Sequence, residues 1–166
     1  MAGKYRHQLI TGLSFGLTSA IITSLGMMVG LNSATSSKLA VGSGLIVVAV
    51  SDGLADAMGL HLAEEVELEK GEVKHTSKEV WLTTIFTFLS GCGFCLTFVI
   101  PILLFPLRVA ILVAIVWGMV ALIVLNVYIA KIKKENPIKL ISEHVLLAVL
   151  VVMVCHWVGN LVKTWF

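Results

Sequence analysis

The stretch LRVAILVAIVWGMVALIVLNVYIA, residues 107–130, carries a single charged side chain, Arg108. A helix needs about 20 predominantly apolar residues to cross the hydrocarbon core of a bilayer, so this stretch predicts a membrane-spanning helix. The rest of the chain has the same character, because 58% of its 166 residues are apolar and 13% are charged. Soluble domains carry about a quarter charged residues. We therefore predict an integral membrane protein whose main partner is the lipid bilayer.

The remaining apolar stretches predict a single all-α transmembrane domain, covering residues 1–166, with five spans. The predicted spans are about 9–31, 39–63, 80–105, 107–130 and 138–162. The first could be mistaken for a secretion signal, but its apolar run continues without a clear cleavage site, so we predict a retained helix. Pro101 and Pro106 predict a kink and a stop in the third span. Pro137 is predicted to open the fifth.

The basic residues predict the orientation of the chain. Three lie on one side of the predicted membrane, namely Lys38, Arg108 and Lys163. Nine lie on the other: Lys4, Arg6, Lys70, Lys74, Lys78, Lys131, Lys133, Lys134 and Lys139. Because basic residues are retained in the cytoplasm, we predict a cytoplasmic N-terminus. The membrane would be the cell membrane of a prokaryote or a vacuolar-type membrane of a eukaryote. A net charge of +2, confined to short stretches, disfavours a nucleic-acid partner.

Two acidic residues inside the second span, Asp52 and Asp56, are the main functional signal. Four residues apart, they lie on one face of a helix. A charged side chain at the bilayer centre costs about 2.5–3.5 kcal/mol on insertion scales, and two on one face repel unless they are protonated or bridged by a cation. Carboxylate oxygens suit hard divalent ions such as Mg²⁺, Mn²⁺, Ca²⁺ and Fe²⁺. We predict a cation or proton site; the alternative is a pair of neutral or serine-bonded acids with a packing role.

The segment 64–79, which follows the second span, is predicted to form a short acidic cytoplasmic extension. Its candidate metal-gathering residues are Glu64, Glu65, Glu69 and Glu72. Three of them share a face at helical spacing, and an acidic mouth would concentrate cations by electrostatic focusing. The alternative is a solvated segment whose acids pair at helical spacing with lysines: Lys70, Lys74 and Lys78.

Polar and soft side chains near the aspartates are candidates for lining a cation path. They are Ser19, Thr23 and Met27 in the first span and His61 in the second. Both spans also carry glycine and other small residues at helical spacing, which predicts close helix packing in lipid.

The other polar groups within the spans are sparse. Asn126, His156 and Asn160 are predicted to form hydrogen bonds between helices. Cys92 and Cys95 form a C-x-x-C pair, which metal or redox sites also use, but no second thiol pair accompanies it. We interpret both as packing residues. The sequence contains no H-E-x-x-H or P-loop pattern, and enzymatic activity is not predicted.

Several stretches resemble the vacuolar iron transporter family. GLTSAIITSLGMMVGL (16–31) resembles its first span and SDGLADAMGLHLAEE (51–65) its second. FVIPILLFP (98–106) resembles the proline-bearing end of its third span, and NVYIAKIKKENPIKLISE (126–143) its link between the fourth and fifth. In order and spacing, these pieces cover nearly the whole chain.

The resemblance implies a five-span fold that works as a homodimer. It also implies transport of Fe²⁺ or Mn²⁺ in exchange for protons, with the metal as substrate and no permanently bound cofactor. The family's path uses an aspartate in the first span and a methionine in the second. Here Ser19 stands at the aspartate position and Asp56 at the methionine position, while Leu60 replaces a glutamate. The carboxylate is thus predicted to have moved to the neighbouring helix. Plant-type members also insert a metal-binding domain where this chain has only the segment 64–79.

The sequence favours a divalent-cation antiporter and leaves two other classes open. One is a non-transporting scaffold or assembly subunit that uses its glycine-rich faces to bind other membrane proteins. The other is a transporter of a different small cation.

Overall fold

The computed structural model describes residues 6–69 and 76–165, and the side chains of 67–69 are outside the description. Every regular element within those ranges is an α-helix. The helices are α1 (Arg6–Thr35), α2 (Lys38–Glu69), α3 (Ser77–Thr97), α4 (Val99–Leu104), α5 (Leu107–Lys133) and α6 (Pro137–Trp165).

Within the described ranges, five segments are long and apolar enough to cross a membrane, with α3 and α4 together forming one of them. This confirms the predicted all-α class and the predicted number of spanning helices. The helices extend beyond the predicted apolar cores at most of their ends. The largest extension is that of α2, which continues without a break to Glu69. The first acidic residues after the predicted second span are therefore part of the same helix.

Proline determines where the third span breaks. Pro101 has no N–H to donate to the carbonyl four residues earlier, and α3 accordingly ends at Thr97. The chain resumes helical form as α4 and stops before Pro106, which directly precedes α5. The predicted kink and stop are confirmed. Pro137 is likewise the first residue of α6.

The first helix lies at the centre of the bundle and packs most extensively against α3 and α6, and less so against α2 and α5. Small residues permit the close approach to α3. A Cβ added at Gly16 would overlap the backbone oxygen of Thr87 and lie 3.0 Å from the nitrogen of Gly91. Such contacts bring backbones together, as is typical of helix pairs in lipid.

The outer faces of the bundle are apolar. In α6 the fully buried residues are Ala148 and Gly159, while Trp157 and Trp165 are 63% and 74% exposed. Leu39, Val47 and many other large apolar side chains are exposed as well. An exposed apolar surface of this extent suits contact with lipid.

Short connections make successive spans antiparallel and give the bundle two ends. We call the end at which α1 begins the amino end; it also holds the last turns of α2 and α5. The opposite end, the carboxyl end, holds the last turns of α1 and α6 and the first turns of α2 and α5.

Candidate functional site

The two aspartates of α2 lie beside a small cavity between three helices. Asp52 and Asp56 line it together with Ala20 of α1 and with Gly91 and Cys95 of α3. Both aspartates are partly buried, because both border this internal space. The cavity has a volume of about 10 Å³, which is room for about one water molecule. We call this cavity, with Asp52 and Asp56, the aspartate cavity.

The first helix contributes a hydroxyl group to these carboxylates. The side chain of Ser19 lies close enough to the carboxylate of Asp56 to interact with it, as does the charge of Asp52. Ser19 and Asp56 are two of the three positions at which the sequence departs from the pattern it resembles. In the fold the two side chains are neighbours.

Small residues create the space for the carboxylates. Gly53 and Gly91 are buried at the contact between α2, α3 and α1. A Cβ added at Gly53 would lie 3.4 Å from Cβ of Cys92, and one at Gly91 would lie 3.4 Å from the backbone oxygen of Gly16. The backbones approach closely here, and the acidic side chains occupy the gap that remains.

Cys95 belongs to this polar cluster, which the prediction of a packing role did not include. It is 3% exposed. Ser24 Oγ donates a hydrogen bond to its Sγ at 3.1 Å, and the thiol donates to the backbone oxygen of Leu45 at 3.6 Å. Asp52 is close enough to act on the thiol electrostatically. The available sequence signal was its position four residues after Gly91, which places both on one helical face.

His61 lies in a separate contact nearer the amino end. It is 9% exposed. Its Nδ1 lies 2.9 Å from Thr84 Oγ1, and its ring centroid lies 4.4 Å from that of Trp81. Nε2 is 3.9 Å from Glu65 Oε2. His61 thus links α2 to α3 and to the acidic end of α2, and the aspartate cavity is lined by other residues.

Two further predicted path residues, Thr23 and Met27, lie away from the aspartate cavity. Met27 packs towards α2, where a Cβ added at Gly44 would lie 3.0 Å from its Sδ. It also lines a groove shared with α6. Thr23 is partly buried. The structure therefore brings Ser19, but not these two residues, to the aspartates.

The predicted metal-gathering glutamates lie at the end of α2. Glu64 is partly buried and Glu65 exposed. Glu69 is the last residue of the helix, with its side chain outside the description, and Glu72 lies outside the described residues. Eight residues of helix separate Asp56 from Glu64, which corresponds to about 12 Å along the axis. The acidic end and the aspartate cavity are thus separate positions along one helix.

Among the described side chains, those of residues 6–66 and 76–165, no group of three or more His, Cys, Asp or Glu is arranged to hold a metal ion. The two aspartates and the Ser19 hydroxyl could supply part of a coordination shell. Divalent ions such as Mn²⁺ and Mg²⁺ take about six oxygen ligands, so the remainder would come from water, backbone carbonyls or a second copy of the chain.

Comparison with known proteins gives one weak similarity. The uncharacterized protein MJ0645 of Methanocaldococcus jannaschii is 26% identical over 163 residues, covering 84% of each chain. No protein-family model matches the chain, and no solved structure matches it significantly.

Proposed function

We propose that this chain is a membrane transporter of divalent cations, of the Fe²⁺ or Mn²⁺ kind, that works by exchange with protons. One observation carries the proposal: two carboxylates four residues apart lie at an internal cavity between helices long enough to span a membrane. Ionised carboxylates in such a position require a positive partner, since isolated charges in lipid are expensive. Within the described residues, no lysine or arginine lines that cavity.

The two aspartates would exchange a cation for protons. A divalent ion bound between Asp52 and Asp56 removes their mutual repulsion. Protonation of the carboxylates would also remove that repulsion while weakening metal binding, because metal ligands must be deprotonated. The site would bind the cation when it is open to one side of the membrane and protons when it is open to the other. Ion movement would then be coupled to the proton gradient.

The acidic end of α2 would serve as the mouth of the path. Glu64 and Glu65 lie at the amino end, which we propose faces the cytoplasm, as the distribution of basic residues predicts. Glu69 and Glu72 remain predicted members of the same mouth. Ser19 would orient Asp56, while Thr23, Met27 and His61 remain predicted lining residues for another step of the path.

A homodimer would complete the site. Beside the aspartates, α2 exposes small residues at helical spacing, namely Ser51, Ala55 and Gly59. Small residues permit close helix approach in lipid, so a second copy could approach α2 here and contribute ligands. The resemblance to vacuolar iron transporters supports the same assembly and the same substrate class.

Uptake into proteoliposomes tests the proposal. We expect Asp56→Asn to lower Mn²⁺ or Fe²⁺ uptake at least about tenfold, because the site loses a metal-binding charge and its exchangeable proton. Glu135→Gln is the matched control: it removes one carboxylate from the connection between α5 and α6 and should leave uptake unchanged. Undiminished uptake by folded Asp56→Asn protein would exclude Asp56 from the mechanism.

A thermal-shift series separates the transporter from the two alternatives. A specific cation stabilises the folded state by mass action, so one or two of Fe²⁺, Mn²⁺, Co²⁺, Zn²⁺, Ca²⁺ and Mg²⁺ should raise the melting temperature. The double variant Asp52→Asn/Asp56→Asn should abolish the rise. A scaffold would show no cation-dependent rise in either protein, and a transporter of an organic cation would respond only to that ion.

A further inference from the structure

A second polar cavity lies at the carboxyl end of the bundle, opposite the acidic end of α2. It occupies about 580 Å³ between the last turn of α1, the first turn of α5 and the last turns of α6. We call it the carboxyl-end vestibule and define it by six of its lining residues: Asn32, Ser33, Arg108, His156, Asn160 and Lys163. It is separate from the aspartate cavity, with which it shares no lining residue.

Its charges have a single sign. Arg108 and Lys163 line the vestibule, and no aspartate or glutamate does. No carboxylate among the side chains that the structure describes, those of residues 6–66 and 76–165, lies at ion-pair distance from either cation. The third cation at this end, Lys38, donates instead to the backbone oxygens of Leu103 and Phe105, at 3.4 and 3.1 Å. Two cations thus face the vestibule without a carboxylate partner.

The first turn of α5 adds donors to the same space. Pro106 and Leu107 line the vestibule beside Arg108. The first bond of this helix runs from the nitrogen of Ala110 to the oxygen of Pro106, at 2.9 Å. The N–H groups of Leu107, Arg108 and Val109 precede it and have no acceptor within the helix. A helix N-terminus carries a partial positive charge, so this turn reinforces the two side chains.

Neutral polar groups of α1 and α6 are held in fixed positions in the same vestibule. His156 Nδ1 lies 2.7 Å from Ser33 Oγ, and Asn160 Nδ2 lies 3.1 Å from His156 Nε2. With Asn160 donating to Nε2, the ring carries its proton on Nδ1 and donates to Ser33. The second N–H of the Asn160 amide remains available to a ligand. The contact between α1 and α6 therefore positions polar groups in addition to packing the two helices.

We propose that the carboxyl-end vestibule binds a phosphate-type oxyanion, either free or as part of a lipid headgroup. Arg108 would bind two of its oxygens through the guanidinium fork. Lys163, the first turn of α5 and Asn160 would contact the others. The volume exceeds that of inorganic phosphate, so a phosphate ester also fits. This inference concerns a site at the opposite end of the bundle and does not depend on cation transport.

Binding to the purified, delipidated full chain tests the inference. The melting temperature of the protein in detergent is measured at increasing concentrations of inorganic phosphate. Chloride at matched ionic strength is the reference. In a second arm, native mass spectrometry compares phosphatidylglycerol with diacylglycerol, which lacks the phosphate. The variant Arg108→Gln/Lys163→Gln should weaken binding about tenfold or more, since charge-assisted hydrogen bonds are the strong ones. The control Lys131→Gln/Lys134→Gln removes the same charge at the amino end and should change nothing.

The two ligand sources give different results in this experiment. Protection by free phosphate that the vestibule variant loses supports a soluble anion as ligand. Selective retention of phosphatidylglycerol, lost in that variant and without a phosphate effect, supports a lipid headgroup. The inference is overturned if phosphate has no advantage over chloride and phosphatidylglycerol none over diacylglycerol, or if the control variant loses binding equally. Should the double variant misfold, Asn160→Asp replaces it, because a carboxylate at this exposed position should abolish anion binding without removing a packing group.

Discussion

The central helix α1 packs on one side against α3 and on the other against α6, and the two contacts differ in character. Both contain glycines that bring backbones together: Gly16 faces Thr87 and Gly91, while Gly159 faces Gly30. The contact with α3 contains buried polar residues, with Thr83 and Thr87 beside Gly12 and with Ser24 bonded to Cys95. The contact with α6 carries its cross-helix polar pair at one end, where Ser33 meets His156.

The two contacts show that close packing of helices does not by itself indicate a functional site. Glycine contacts of similar closeness occur on both sides, so they do not mark a site by themselves. The aspartate cavity lies on the side where α2 joins α1 and α3 and supplies two carboxylates. On the α6 side, Gly26 and Gly30 meet Val151 and Cys155, and mainly apolar groups lie along the helix. The candidate site on the α3 side is thus distinguished by the carboxylates placed among the close-packed helices and not by the closeness itself.

The largest effect should come from Gly16→Ala. An added Cβ would overlap the oxygen of Thr87, and backbone cannot rotate away, so we expect a loss of about 1–3 kcal/mol in the free energy of unfolding. Gly93→Ala on α3 is the control, because its Cβ would have no neighbour within 4 Å and should gain about 0.5–1 kcal/mol. Steric trapping in bicelles measures both. Equal stabilities would refute the close α1–α3 contact.

Gly159→Ala tests the other side of α1 and should have a smaller effect. The added Cβ would overlap the oxygen of Gly30. However, α6 buries few residues fully and can move outward, so we expect a loss of about 1 kcal/mol. Gly42→Ala, whose nearest neighbour would be 3.5 Å away, controls for the added methyl group. A loss larger than that of Gly16→Ala would reverse the ranking of the two contacts.

Ser24→Ala probes the polar character of the α1–α3 side. Ser24 is fully buried and bonded to Cys95. Loss of this hydrogen bond should lower the unfolding free energy by about 1 kcal/mol. A double-mutant cycle with Cys95→Ala should give a coupling of about 0.6 kcal/mol, the average for side-chain hydrogen bonds in a membrane protein. Strict additivity of the two losses would mean that the pair does not interact.

Ser33→Ala should have the smallest effect on stability. Its bond to His156 lies at the exposed carboxyl end, where water can replace the lost partner, so we expect a change below about 0.5 kcal/mol. The free energy of unfolding is measured by steric trapping in bicelles and compared with that of Ser24→Ala. A loss as large as that of Ser24→Ala would show that the α6 side depends on buried polar contacts as well.

The candidate site was predictable in part. Spacing alone placed Asp52 and Asp56 on one helical face, because side chains four residues apart are neighbours on any α-helix. Ser19 was expected near them from the resemblance, and its side chain does lie close to that of Asp56. The contribution of Cys95 was missed, since its partners Ser24 and Leu45 come from two other helices.

The predicted hydrogen bonds between helices were also confirmed only in part. His156 does form a hydrogen bond to another helix, since its ring bonds to Ser33 of α1. Asn126 Nδ2 instead bonds within its own helix to the oxygen of Leu122, and Asn160 bonds to His156 on α6 itself. A polar side chain in a helix can always reach its own preceding turn, so its type alone does not determine whether the partner lies on another helix.

The sequence by itself determined the solvent and the secondary structure. Long apolar runs can be satisfied only in a bilayer, where the backbone must form helices to pair its own polar groups, and proline determined where those helices break. Tertiary structure alone decided which helix lies at the centre of the bundle. It also decided which neighbouring helices surround the two aspartates. It also brought the cations and donors of α1, α5 and α6 into one vestibule. Helical periodicity fixes neighbours within a helix, whereas contacts between helices depend on how small residues from distant parts of the chain fit together.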